Sequence, residues 1–366
     1  MRFTSLLVAH SSSAFKRSLL AISITSAACI SPIATAASPA TSAAAASATN
    51  MASVQDTINA LSKAQAAVVG VQVIAADGAR SAQTLGKARS GSGVVIGADG
   101  LIVTIGYLIL EADQLQIITA DKKTVPARVV AYDLATGFGL IRPVLPLRGI
   151  SPVALGGTMD IKTGEPLMAS TGASSDEDAD VNMTQLVSKR AFSGYWEYHI
   201  DGALFTSPPV QNHSGAPLFN QKGELIGVGS LFVMDAIGQN VRLPGNMFVP
   251  VDLLKPIMNE MLQTGSSALS KRPWLGLTSS EQGGRVQIVR VNADSPAQTA
   301  GLQVGDVILA VDDTKVASLE TFYKKVWDRA APDSDIKLTV LQGADLKTIT
   351  LKAVDRMSTM MKPSGI

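Results

Sequence analysis

From residue 68 onward the chain is a succession of short apolar runs cut by glycine, and that rhythm admits few folds. "VVGVQVI", "GSGVVIGADGLIVTIGYLIL", "QLQIITADKKTVPARVVAYD" and "FGLIRPV" read as strands, with tight turns at Asp99-Gly100 and Asp121-Lys122. "TQLVSKRAF", "GELIGVGSLFV" and "NMFVPV" carry the pattern on. Long helical stretches between the runs are missing, which argues against βαβ units and for a mostly β barrel or sandwich. "VDLLKPIMNEMLQTG" then reads as an amphipathic helix ending near Gly265, and "SSALSKRP" as a linker.

Residues 274–353 follow a second, α+β pattern. "WLGL" and "RVQIVRV" lead into "SPAQTAGLQVGDVILAVDD". There Ser295 suits a helix N-cap, Pro296 the first helical position and Gly301 the stop. A longer helix is predicted after Ser318, with Leu319, Phe322, Val326 and Ala330 on one face. "IKLTV" and "KTITL" finish the domain, and "RMSTMMKPSGI" reads as a loose tail.

The first residues read as an export signal. Arg2, Lys16 and Arg17 precede an apolar run, and Ala34-Thr35-Ala36 offers a small-residue cleavage site. Pro32 and several Ser and Thr make the run too polar for a membrane span. Cys29 follows "SAA", a poor acylation site, so simple cleavage is expected over a lipid anchor. Cleavage would remove the chain's single cysteine and leave no need for a disulfide in an oxidising compartment. "ASPATSAAAASATN" reads as a tether, followed from Met51 by a short helix with Val54, Ile58, Leu61 and Ala64 at helical spacing. The expected division is a signal at 1–36, a tether and helix at 37–66, a β domain at 67–262, a linker at 263–272, an α+β domain at 273–353 and a tail at 354–366. A net charge of +1 argues against nucleic acid as a partner, and three histidines with one cysteine argue against a metal cluster. No cofactor is suggested.

The C-terminal block is similar to the PDZ domains of bacterial periplasmic proteases, and "SPAQTAGLQVGDVILAVDD" carries that resemblance. It implies capture of a peptide or protein C-terminus as an added strand, with the carboxylate held by the loop Trp274, Leu275, Gly276 and Leu277. The helix after Ser318 would be the other wall. The preceding region resembles the trypsin-like double β-barrel of the HtrA (DegP-like) serine proteases. The matching pieces are "GSGVVIGADGLIVT", "DLATGFGLI", "HSGAPLFNQKGELIGVGS" and "MFVPVDLL", in that order.

The same resemblance implies where catalytic residues should stand. The base histidine of a "TNxH"-like segment falls on Tyr107, after Thr104. The aspartate of "D-x-x-x-D-x-A-L" falls on Gly137 in "DLATGFGL", whose first aspartate is Asp133. The nucleophile of "GNSGG" falls on Ser214 in "NHSGA". The oxyanion hole would use the backbone N–H groups of Asn212 and Ser214, with Pro208 and Pro209 in the segment lining the specificity pocket. A serine hydroxyl without a base is a weak nucleophile, and a phenol is a poor base near neutrality. His213 adjoins Ser214, but neighbouring side chains in a tight turn diverge; His199 is expected on a strand, and no lysine is singled out as a base. In "YWEY", Tyr195 to Tyr198, strand packing is favoured over a partner-binding role.

The expectation is therefore an exported, periplasmic pseudoprotease of this fold. It would act by peptide or protein binding, in envelope quality control or as a scaffold, with a homotrimer implied by the resemblance. The alternative is a serine endopeptidase with residual or non-standard activity through Ser214.

Overall fold

In the computed structural model the described residues are 40–238, 241–328 and 331–361. The export signal, Cys29, Ala330 and the last five residues of the tail lie outside the described residues. By its contacts the chain divides into a unit up to Asn50 and a unit from Met51 onward, and the β domain and the C-terminal domain both belong to the latter.

Helix α1 (Ala40–Gln65) begins inside the segment expected to be a tether. Alanine has the highest intrinsic helix propensity, so an alanine run reads as readily as helix as it does as low complexity. Leu61 and Ala64 pack on the barrel core, whereas Val54 and Ile58 of the expected apolar face remain exposed.

Six strands make the first closed barrel: β1 (Val68–Ala75), β2 (Ala88–Val95), β3 (Ile102–Ile105), β4 (Ala112–Ile118), β5 (Thr124–Tyr132) and β6 (Phe138–Pro143), in the order β1-β2-β3-β6-β5-β4. Two short helices sit in its connections, α2 (Ala82–Leu85) and α3 (Gly106–Ile109). The second barrel holds β7 (Pro166–Thr171), β8 (Asp180–Gly194), β9 (Tyr198–Ser207), β10 (Pro217–Phe219), β11 (Leu225–Val233) and β12 (Gly245–Pro250), in the order β10-β11-β12-β9-β8-β7. Closure leaves neither barrel an open sheet edge. One core runs through both, with Ile102, Phe138 and Leu140 from the first and Tyr198, Phe205 and Met247 from the second. At about 1.5–3 kcal/mol for each large side chain buried, that shared core fixes the two barrels against each other.

After α4 (Met258–Thr264) the expected linker is docked rather than free. The hydroxyls of Ser267 and Ser270 donate to Asp133, and Leu134 N–H donates to Ser270 Oγ at 2.8 Å. On the other carboxylate oxygen, Asp133 receives Thr136 N–H at 2.8 Å and the Thr136 hydroxyl at 2.6 Å. Burial alone would raise the Asp133 pKa, but these donors outweigh it and hold the carboxyl below its ordinary range.

The C-terminal domain has its own core of Leu275, Val286, Ile288, Val311, Phe322 and Ile336, among others. It pairs β13 (Pro273–Trp274) with β20 (Val354–Asp355). Its main sheet contains β14 (Leu277–Gln282), β15 (Arg285–Val291), β16 (Val307–Val311), β18 (Asp335–Gln342) and β19 (Asp345–Lys352), with β17 (Thr314–Lys315) beside β16 and β14 at one edge. Ser295 caps α5 (Pro296–Thr299) and Ser318 caps α6 (Leu319–Trp327), each accepting from a backbone N–H three residues on. Within the expected loose tail, Met361 N–H donates to Glu111 on the first barrel at 3.0 Å. Among the described residues, no helix is long and apolar enough to cross a membrane.

Candidate functional site

Ser214 lies half-buried ahead of β10, where the second barrel meets the first. Its carbonyl accepts from Ser92 N–H of β2 at 2.8 Å, and the next residue, Gly215, donates to Gly229 O at 2.8 Å. Thr104, on β3, donates to Ser92 O at 2.6 Å, so the neighbouring strands are tied to the same point.

Tyr107 enters this site from α3. Its phenolic oxygen stands 2.7 Å from Ser214 Oγ and 3.0 Å from the carbonyl oxygen of Ser230. Burial pushes the phenol up to about 12, with the bond to Ser214 pulling weakly the other way. At neutral pH the phenol is therefore protonated. It can share a hydrogen with Ser214 or give it to Ser230, but it cannot take the proton that a nucleophilic attack must release.

Gly137 follows the Asp133–Thr136 turn, and its carbonyl accepts Gly106 N–H at 2.7 Å, directly before Tyr107. Its φ is +83°, a region that an aspartate enters only with strain. A Cβ built there would meet the Tyr198 hydroxyl at 3.3 Å. Tyr198 reaches in from β9 and donates to Thr136 O at 2.6 Å. A buried phenol of the second barrel thus closes the place next to Tyr107 where an orienting carboxylate would stand.

The two described histidines have their hydrogen-bond partners elsewhere. His213 Nδ1 is 3.0 Å from Gln211 O, its own loop, and burial lowers its pKa. His199 pairs across the β8–β9 hairpin with Ser193 at 2.9 Å and lies 3.2 Å from Asp201. His199, Asp201 and Glu320 bring three possible metal ligands together, but the Lys324 ammonium already stands 2.7 Å from Glu320 and 3.4 Å from Asp201. Asn212 is exposed, donates to Glu177 at 3.1 Å and is not among the non-glycine residues with positive φ. The glycine-like conformation that would aim its N–H into an oxyanion hole is not used. Pro208 O accepts from Thr184, and Val210 is clamped by the Asn246 side chain through bonds of 2.6 and 3.2 Å.

The peptide loop of the C-terminal domain forms a nest. Gly276, at φ +85°, turns the N–H groups of Leu275, Gly276 and Leu277 toward one point. That point is a carboxylate of the same chain. Glu197 receives Leu275 N–H at 3.0 Å and the N–H groups of Gly276 and Leu277 at 2.8 Å each. Burial raises the Glu197 pKa, while the three amides and Arg356 pull it back. Trp274 does not join the nest; it sits in β13 with Arg356 over its ring at 5.9 Å.

Glu197 also corrects the expectation for "YWEY". Residues 195–197 form the tip of the β8–β9 hairpin rather than a strand. Tyr195 is largely exposed, Trp196 is partly exposed and stacks on Tyr198, and Tyr198 itself joins the barrel core. The one signal in the sequence was an acidic residue inside an aromatic cluster.

Residues 91–228 match the trypsin-like peptidase domain and residues 273–353 the PDZ domain. The probable periplasmic serine endoprotease DegP-like of Pseudomonas fluorescens is 29% identical over 249 residues, 64% of this chain and 49% of that protein. Serine protease PepD of Mycobacterium tuberculosis is 25% identical, over 69% of this chain and 58% of that protein. The chain spans about half the length of the curated relatives it matches. Among solved structures, the HtrA-type protease AlgW with tripeptide aligns at a TM-score of 0.51 and 22% identity, covering 84% of this chain and 99% of that one. The serine endoprotease from Yersinia pestis aligns at 0.50 and 22%, covering 81% and 97%.

Proposed function

The chain is an HtrA/DegP homologue that joins a trypsin-like peptidase domain to a PDZ domain, and on that premise we propose that it is a pseudoprotease working through peptide binding. The observation that carries this is the Tyr107 phenol 2.7 Å from Ser214 Oγ, with its pKa pushed up to about 12. A serine deprived of its base loses on the order of a million-fold in kcat in proteases of this chemistry. The ligand is a protein or peptide C-terminus, held by the nest of Leu275, Gly276 and Leu277 beside the edge strand β14.

The setting proposed is the periplasm after export, as in the names of the DegP-like relatives, with a role in envelope quality control or as a scaffold, in a homo-oligomer. A fluorophosphonate probe tests the chemistry. No labelling of Ser214 above a Ser214→Ala control, and no casein cleavage, is the expected result. Labelling lost in Ser214→Ala would instead establish a serine hydrolase with a non-standard base.

A further inference from the structure

The groove that would take a peptide is not empty. Besides the three bonds to Glu197, Ser279 N–H of the edge strand β14 donates to Tyr195 O at 2.8 Å. On the opposite wall, Tyr323 of α6 donates to Gly194 O at 2.8 Å, and its hydroxyl accepts Glu197 N–H at 3.3 Å. Residues 194–197 thus engage the nest, the edge strand and the helix together. The tip is a turn rather than a strand, but its one main-chain bond to β14 falls where an added strand would make one. The carbonyl two residues before the carboxylate-bearing residue pairs with the N–H two residues beyond the nest, which is how an extended peptide would continue along β14. Glu197 itself has a φ of +57°, unusual for a residue with a side chain, and is 5% exposed. A strained, buried acid whose oxygens meet three consecutive amides reflects a built contact.

We propose that the hairpin tip at residues 194–197 is an internal ligand of the PDZ domain, its Glu197 carboxylate occupying the place of a peptide's terminal carboxylate, so that an external C-terminus binds only by expelling it. This rests on the reading of the nest as a C-terminus site and adds the competitor that regulates it. The two ligands compete for the same three amides: an arriving C-terminus displaces the tip, and a seated tip excludes the C-terminus. If the tip is seated in about 99 of 100 molecules, apparent peptide affinity falls about 100-fold below that of the open groove.

The test uses the full chain, Glu197→Ala and Glu197→Gln. The probe is a fluorescein-labelled decapeptide pool, randomised at its last four residues and carrying a free carboxylate, with the amidated pool as control. Fluorescence anisotropy should show at least tenfold tighter binding by Glu197→Ala than by wild type, with Glu197→Gln between them and the amidated pool bound by none. Equal affinity of all three proteins for the carboxylate pool would overturn the internal ligand and leave the peptide reading standing. Binding by none would sink the peptide reading, and amide exchange then decides the contact separately. Protection of the Leu275, Gly276 and Leu277 amides in wild type, lost in Glu197→Ala while the β16 and β18 amides stay protected, supports the internal ligand. Unchanged protection at the nest refutes it. Tyr323→Phe offers a second variant that removes only hydroxyl contacts to the tip and should gain affinity in the same direction.

Discussion

At Ser214 the proposed inactivity turns on one proton, that of the Tyr107 phenol 2.7 Å from the serine oxygen. Tyr107 holds its own proton until pH values where few proteins stay folded, and its folded pKa of about 12 lies above the ordinary 10.0. The linkage sign follows: the stability this group contributes is fully present below pH 10 and is lost as pH rises toward 12. Tyr107→Phe should therefore flatten the alkaline limb of a denaturation profile between those values, by about 2 kcal/mol at most, compared with wild type. Putting a base back is harder than a sequence comparison suggests. The pair Tyr107→His and Gly137→Asp should still fail to cleave casein, and the aspartate should lower stability by about 1–3 kcal/mol in thermal unfolding. Its φ of +83° and the hydroxyl of Tyr198 both oppose it. Tyr107 and Gly137 were legible because motif spacing leads to them along one stretch of chain. Tyr198 was not, since it arrives from the other barrel, 62 positions from the Thr136 carbonyl it meets.

Among the elements, the connection from barrel to PDZ domain departs most from its expectation. "SSALSKRP" has the composition of a free linker, yet two of its serines are spent on Asp133. Hydroxyls facing a single buried carboxylate leave no periodic trace, so only the fold reveals them. The first aspartate of "DLATGFGL" thus works as a clasp, although the position that should carry the catalytic carboxylate is glycine. Asp133→Asn should cost about 1–3 kcal/mol and make the 263–272 segment easier to nick in limited proteolysis. With its pKa held below 3.8, Asp133 contributes stability above that value and loses it as pH falls through the folded pKa. Asp133→Asn should remove that part of the acid limb. Strand positions and helix caps were readable because alternation, glycine turns and Ser-Pro signals are local. The extension of α1 back to Ala40 was not, because an alanine run looks the same as helix or tether.

For the whole molecule, the PDZ domain is held to the barrels by the Asp133 clasp, by the seating of Glu197 and by the tail that reaches Glu111. A chain carrying both Asp133→Asn and Glu197→Ala should show a larger radius of gyration in X-ray scattering than either single variant. These contacts join residues far apart in the sequence, and no spacing rule connects them.

The proposed seating of the hairpin tip has a consequence for solubility. β14 lies at the edge of its sheet, and an edge strand offers unpaired main-chain groups to any extended segment nearby. Tyr195 covers one of those groups at Ser279. Whatever lifts the tip also bares that edge, so the molecule most ready to take a peptide is the one most prone to stick to its own copies. In a crowded compartment the seated hairpin would keep the chain dispersed until a partner arrives.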